Sequence, residues 1–296
     1  RALGEAGATV YCTGRSVRGR PSAYGRPETI EETAELITNA GGVAHAVRVD
    51  HTIEGEVRDL FEQVKRDCGR LDVLVNSIAG EDPMLGGWHK FWDADLQNGA
   101  AALNQALLSH VITAKHAAPI MIAQRSGLIV EVIDGDLLFG GGSVLADLVK
   151  TSLKGLAVRM AEELRRHRVV AIAITPGFLR SESMLEHFGV SEENWREGGK
   201  KDKHFLESET PLFVGRAVAA LAQDKQALDR TGELTSSWEL ARHYGFTDAD
   251  GRRPDWGKYA QAHVYPSLKW LREATQRHHD WFERLANRAK CYLGQE

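Results

Sequence analysis

Side chains able to do chemistry recur at a few places in this chain, each just after a run of apolar, β-prone residues. Arg15 and Ser16 follow residues 8–13, Asp50 follows 43–49, Asn76 ends 71–76, Asp134 follows 127–133, and Pro176–Gly177 follow 169–175. A second group, Ser143, Ala146, Asp147 and Lys150, stands at the start of a helix-prone stretch. A carboxylate such as Asp134 or an amine such as Lys150 can act as general acid or base. A plainer account also covers them. Asp134–Gly135–Asp136 makes a turn, Ser143 caps the helix beginning near Ala146, and Lys150 pairs with Asp147 at i,i+3.

The elements that would position these residues alternate. Strands are predicted over 8–13, 43–49, 71–76, 127–133, 169–175 and 232–238. Between them apolar residues recur at helical spacing over 28–40 (Ile30, Ala34, Ile37), over 54–68 (Val57, Leu60, Phe61, Val64), in a long helix ending near Ile122, and over 146–166. Near-continuous apolar strands alternating with helices predict an α/β doubly wound, Rossmann-like parallel sheet in three layers, with right-handed crossovers. Ligands of such sheets bind outside the carboxyl ends of the strands, where Arg15, Asp50, Asn76, Asp134 and Pro176 all fall. The opening Arg1–Gly7 reads as the tail of a helix ending in glycine. A native domain seldom begins inside a helix, so more chain is expected ahead of it.

Bulk properties narrow the function classes. The 296 residues are 43% hydrophobic, enough for a full core, and the net charge of -4 makes no electrostatic case for nucleic acid. Three well-separated cysteines, Cys12, Cys68 and Cys291, suit a reducing compartment. No Cys or His spacing suggests a metal site. No apolar run near the ~18 residues of a membrane helix and no signal peptide are read, so a cytoplasmic location without membrane attachment is expected.

In their order, three segments resemble the short-chain dehydrogenase/reductase family, in particular its bacterial branch related to the animal DHRS type. Leu71–Gly80 is similar to the family's Asn-Asn-Ala-Gly strand end, Lys150–Ala157 to the segment after its catalytic lysine, and Pro176–Ser181 to its Pro-Gly turn beside nicotinamide. The resemblance runs from about residue 1 to 259. It implies an oxidoreductase acting on a carbonyl or alcohol. Arg15 and Ser16 would meet the 2′-phosphate of NADP, no acid standing there to favour NAD; a solvated loop arginine is the bland alternative. Asp50 would meet the adenine, or else belong to a helix N-cap region with His51 and Thr52. Asn76 and Ala79 would line the cofactor crevice, with Asn76 a simple turn-former otherwise. Lys150 would hold the ribose, and Pro176 and Gly177 would flank the nicotinamide. The family's central strand and Gly-rich phosphate loop fall in a segment of ~20–30 residues that the resemblance implies ahead of Arg1, since a sheet without that strand would expose two unpaired edges.

The catalytic set implied by the resemblance is incomplete. Lysine matches Lys150, but the tyrosine place is Ala146, the hydroxyl place is Ile133, and the supporting asparagine falls near Ala106, two positions from Asn104. Weak or atypical turnover is expected. Ser143 and Asp134 are the groups able to take over. Two other readings stay open: a non-catalytic binding or scaffolding protein, and a cofactor-free enzyme reusing the crevice with Asp134 or Lys150 as base.

Substrate choice is expected from Trp88 and Trp92 in the aromatic loop and from Met184 in a cover over 181–209, with Gly198–Gly199–Lys200–Lys201 as a hinge-like run. An amphipathic tail helix from about 268 to 288 completes the division into a domain of 1–259 and a tail of 260–296. A small-molecule substrate and a homo-oligomer are the expected partners.

Overall fold

The structure is a computed structural model that describes residues 1–20, 22, 25–79, 82–85, 89–135 and 143–264. The chain divides into Arg1–Pro254 and Asp255–Glu296, five residues before the boundary read from the sequence. In the second unit, helix Trp256–His263 begins at Asp255, whose side chain accepts from the Lys258 amide. The expected tail helix over 268–288 lies outside the described residues.

The first unit alternates helix and strand in the order α1 (Ala2–Glu5), β1 (Thr9–Gly14), α2 (Ile30–Asn39), β2 (Val43–Arg48), α3 (Glu54–Cys68) and β3 (Val73–Asn76). There follow α4 (Asp82–Leu85), α5 (Leu96–Leu103), α6 (Ser109–Gln124), β4 (Gly127–Val132), α7 (Val144–Leu164) and β5 (Val169–Thr175). The last are α8 (Glu182–Phe188), α9 (Pro211–Gln223), β6 (Leu234–Ser236) and α10 (Ser237–Tyr244). Every strand pair is parallel. All seven residues of β5 are buried, as expected of a strand covered by helices on both faces. The cores on either side draw on alternate residues. Val170, Ile172 and Ile174 pack toward α9 and α10 through Val218, Leu221 and Leu240, whereas Val169 and Ala171 join Met121, Ala161 and Leu164 of α6 and α7.

Local chemistry sets the helix starts. Thr29 and Glu32 form a reciprocal capping box at α2, and Ser143 accepts the Ala146 amide at α7, as its place before the helix predicts. Gly69 closes α3 in the left-handed conformation at φ 70°.

The strands form two ladders, β1–β2 and β3–β4–β5–β6. A cavity of about 890 Å³ is lined by β1 on one side and β3 on the other. The last strand is shorter than 232–238, because the Ser236 hydroxyl accepts the Glu239 amide and starts α10, which takes Trp238 into a helix. The long central helix is interrupted by a π-turn at Asn104–Leu108 between α5 and α6. Where no such run was expected, the 29-residue stretch Leu96–Gln124 contains an 18-residue window long and apolar enough to cross a membrane. It packs in the domain through Ala102, Ala106, Ala114, Ala117 and Met121.

Candidate functional site

The cavity runs along β1 and β3, from Ala8–Val10 and Leu71–Val73 to their carboxyl ends. Its lining includes Arg15, Ser16, Asp50, His51, Asn76 and Ala79, so five positions expected at a cofactor come together there. Lys150, Pro176, Gly177, Trp92 and Met184 are not part of that lining.

Asp50 does not cap α3, whose N-cap is Ile53 without a side-chain bond. Its carboxylate instead closes a turn on Thr52, accepting from the backbone amide at 3.0 Å and the hydroxyl at 2.6 Å. Burial pushes the Asp50 carboxyl up, but the Thr52 hydrogen bonds and the charges of Arg15 and Arg48 outweigh it and hold the group below its ordinary value. The Arg15 guanidinium stands 3.8 Å from Asp50 and is 39% exposed, which leaves donors open to an anionic ligand.

Asn76 is only 1% exposed. Its amide nitrogen donates to Glu131 Oε1 at 2.8 Å and to the His110 carbonyl at 3.4 Å. Glu131 in turn meets His110 Nδ1 at 2.5 Å, and the other ring nitrogen of His110 lies 3.1 Å from the Ile78 carbonyl. Gln105, in the π-turn, donates to the Ala79 carbonyl at 3.1 Å. This buried network fixes the backbone that follows β3. The sequence reading missed it, although a lone glutamate inside the apolar run Leu128–Ile133 was a signal, since buried carboxylates need partners.

His51 was missed as a tie. Thr113 donates its hydroxyl proton to the Ser109 carbonyl, so His51 Nδ1, 2.9 Å away, donates to Thr113 and Nε2 accepts from Thr13 at 3.0 Å. β1 is thereby linked to α6. Burial, the largest influence, lowers the His51 pKa to about 4.

At the end of β4, Lys150 Nζ lies 2.5 Å from Asp134 Oδ2, so the lysine reaches across to the strand end. Ala146 stands one helical turn before Lys150. Ile133 is 4% exposed and packs with Ala106, Val149, Leu153, Ala157 and Ala173. Ala146 is half-buried against Leu145, Ala102 and Leu85, so both positions where a catalytic group was expected carry apolar side chains packed on the core. Ser143 is committed to its cap, and Asp136 lies outside the described residues. Thr175 accepts the Gly135 amide at 2.9 Å and donates to the Pro176 carbonyl, which joins the ends of β4 and β5.

Beyond β5 the cover segment has its own core. Met184 packs against Phe188, Trp195 and Phe205, and buried Arg180 stacks 4.0 Å over the Trp195 ring while pairing with Glu192. The glycines of the expected hinge have a packing reason. A Cβ at Gly198 would come within 2.6 Å of Phe205, and one at Gly199 within 2.6 Å of Leu206. Trp92 is 67% exposed in a short 3-10 turn at Phe91–Asp93, and Trp88 lies outside the described residues. Among the described residues, no group of three or more His, Cys, Asp and Glu could hold a metal ion.

Known proteins place this geometry. The structure resembles that of a dehydrogenase from Xanthomonas campestris with a TM-score of 0.67, at 18% identity, over 86% of this chain and 88% of the other. A metagenomic short-chain oxidoreductase solved in complex with NADP is 27% identical with a TM-score of 0.50, over 60% of this chain and 74% of its own. The human dehydrogenase/reductase SDR family member 1 is 35% identical over 84% of this chain and 78% of its own length. The family model described as enoyl-(acyl carrier protein) reductase matches residues 1–234. A parallel sheet whose strand ends gather Arg15, Asp50 and Asn76, with Lys150 at the next crossover, thus has relatives along most of its length, and the chain belongs to the short-chain dehydrogenase/reductase family.

Proposed function

We propose that this chain binds NADP(H) at the strand ends and moves a hydride between it and a carbonyl or alcohol substrate, with slow turnover. The observation that carries the reading is the pair Lys150–Asp134, held at the crossover end of β4 with alanine at position 146. The bound nicotinamide would supply or take the hydride. Arg15 and Ser16 would hold the 2′-phosphate, where a guanidinium offers paired donors. Lys150 would hold the ribose, oriented by Asp134. The NADP bound by the metagenomic relative supports this choice of cofactor.

The residues present explain why turnover should be slow. Ala146 has no proton to give, and Ile133 cannot donate a hydrogen bond to a carbonyl oxygen. Losing one positioned acid costs ~10²–10⁴-fold in rate. A proton for the product oxygen must then come from the Lys150 ammonium or from water. A homo-oligomer fits this reading, since Leu96, Leu108 and Val111 along α5–α6 and Val144, Leu148 and Val158 on α7 are exposed apolar residues. A cytoplasmic location belongs to the same proposal.

The test is fluorescence titration with NADPH and NADH, followed by NADPH oxidation over a panel of ketones and aldehydes. Tighter binding of NADPH with slow turnover supports the reading. Brisk turnover would require another proton donor and overturn the account of Ala146. Failure to bind either cofactor would instead favour a scaffolding role, which the apolar Ala146 and Ile133 also fit.

A further inference from the structure

One buried residue grips the segment that leaves β5. Pro176 carries no N–H, so the Gly177 amide is the first donor beyond the strand. It donates to Glu209 Oε2 at 2.9 Å, and the Ser237 hydroxyl donates to the same oxygen at 2.7 Å. Residue 209 also bonds through its backbone, its amide to the Phe178 carbonyl at 2.9 Å and its carbonyl to the Arg180 amide at 2.7 Å. Glu209 is fully buried, and among the described residues its Oε1 has no hydrogen-bond partner. Buried polar atoms without partners are rare and call for a reason. Its place supplies one. Thr175 and Ser236 are paired neighbours at the ends of β5 and β6, and Glu209 bridges the residues that follow them. Thr175 extends the tie to Gly135, next to the Asp134 that holds Lys150.

Resting on the reading that the crevice takes NADP(H), we propose that Glu209 is a positioning residue. It fixes the Pro176–Gly177–Phe178 turn beneath the nicotinamide half and so governs binding of the whole dinucleotide but not of its adenosine half. Burial pushes the carboxyl up to about 8, against the lowering effect of Ser237 and Gly177. The titratable group set against it is Asp248, anchored by Thr210, whose charge adds to the upward shift. Near neutral pH the residue therefore grips the turn without a net charge. At higher pH it must carry a buried charge beside Asp248, and the turn should loosen.

The experiment compares the full-length wild-type chain with Glu209→Ala, Glu209→Gln and Ser237→Ala. It measures binding of NADPH and of adenosine 2′,5′-bisphosphate, and hydrogen exchange at the Gly177 amide. Glu209→Ala should weaken NADPH about tenfold, leave the bisphosphate within about twofold and speed exchange at Gly177. Glu209→Gln, which keeps an acceptor for both donors, should retain NADPH affinity and abolish its decline between pH 7 and 9. Ser237→Ala, which removes one donor only, should weaken NADPH about two- to threefold, providing a reading even if Glu209→Ala does not fold. Unchanged NADPH affinity in the alanine variants, or equal loss of both ligands, overturns the proposal and leaves the cofactor reading standing. A wild-type chain that binds neither ligand overturns both.

Discussion

Replacing His51 with glutamine should alter stability in opposite directions at neutral and acid pH. At pH 7 the wild-type ring is neutral and bonds both Thr13 and Thr113. Glutamine can keep one of these contacts but not both at the same span, so the variant should be about 1–2 kcal/mol less stable there. In the unfolded chain the imidazole titrates near 6.5, whereas in the folded protein its pKa is lowered to about 4. Between these values the unfolded state takes up a proton that the folded state does not. Stability from this group is therefore complete above pH 6.5 and is lost as pH falls toward 4. Each tenfold difference in proton affinity between the folded and unfolded states is worth about 1.4 kcal/mol, so wild type should lose roughly 2–3 kcal/mol through His51 by pH 4.5. The glutamine variant has nothing to titrate there, and its deficit should vanish or reverse. Urea unfolding of both proteins at pH 7 and pH 4.5 isolates the effect, because every other titrating group is common to the two. An equal stability gap at both pH values would refute the argument, since the ring would then have no depressed pKa in the folded state.

Other outcomes follow from the site. Ala146→Tyr should raise NADPH-dependent carbonyl reduction without restoring it fully, and Ala146→Tyr with Ile133→Ser should exceed either change alone. Because Ile133 lies in a packed apolar cluster, Ile133→Ser should also lower stability by ~2–4 kcal/mol, read from urea midpoints. Arg15→Ala should weaken NADPH about tenfold while leaving NADH nearly unchanged, measured by fluorescence titration; equal affinity for the two cofactors in wild type would defeat the assignment. His110→Ala should cost ~3–5 kcal/mol, because it strips the buried Glu131 of its nearest partner. Chemical denaturation measures this loss, and a cost under about 1 kcal/mol would show that water or Asn76 replaces the imidazole.

Local pattern was enough to predict the alternation of strands and helices, the parallel sheet and the polar residues at strand ends, because burial on both faces writes continuous apolar runs and caps have short-range chemistry. The family resemblance, rather than local pattern, put Ala146 and Ile133 where a proton donor and a hydroxyl were expected. Local pattern could not show which strands become neighbours, because ladders join residues far apart in the chain and leave no local mark. Trp238 was read as strand because residues 232–238 hold only two large apolar side chains, Leu234 and Trp238, too few to show a period, and the Ser236 cap settled it as helix. Lys150 shows the division most clearly. Its helix placed Asp147 one turn away, yet the tertiary structure brings Asp134 to its ammonium from the end of a different element. The same holds for Glu209 with Gly177 and Ser237, and for Glu131 with Asn76 and His110. Residue type and local spacing determined which groups could ionise, cap or pack. Which of them became partners, and which carboxyls were driven out of water, was decided only when the chain folded, because desolvation and pairing depend on neighbours remote in sequence.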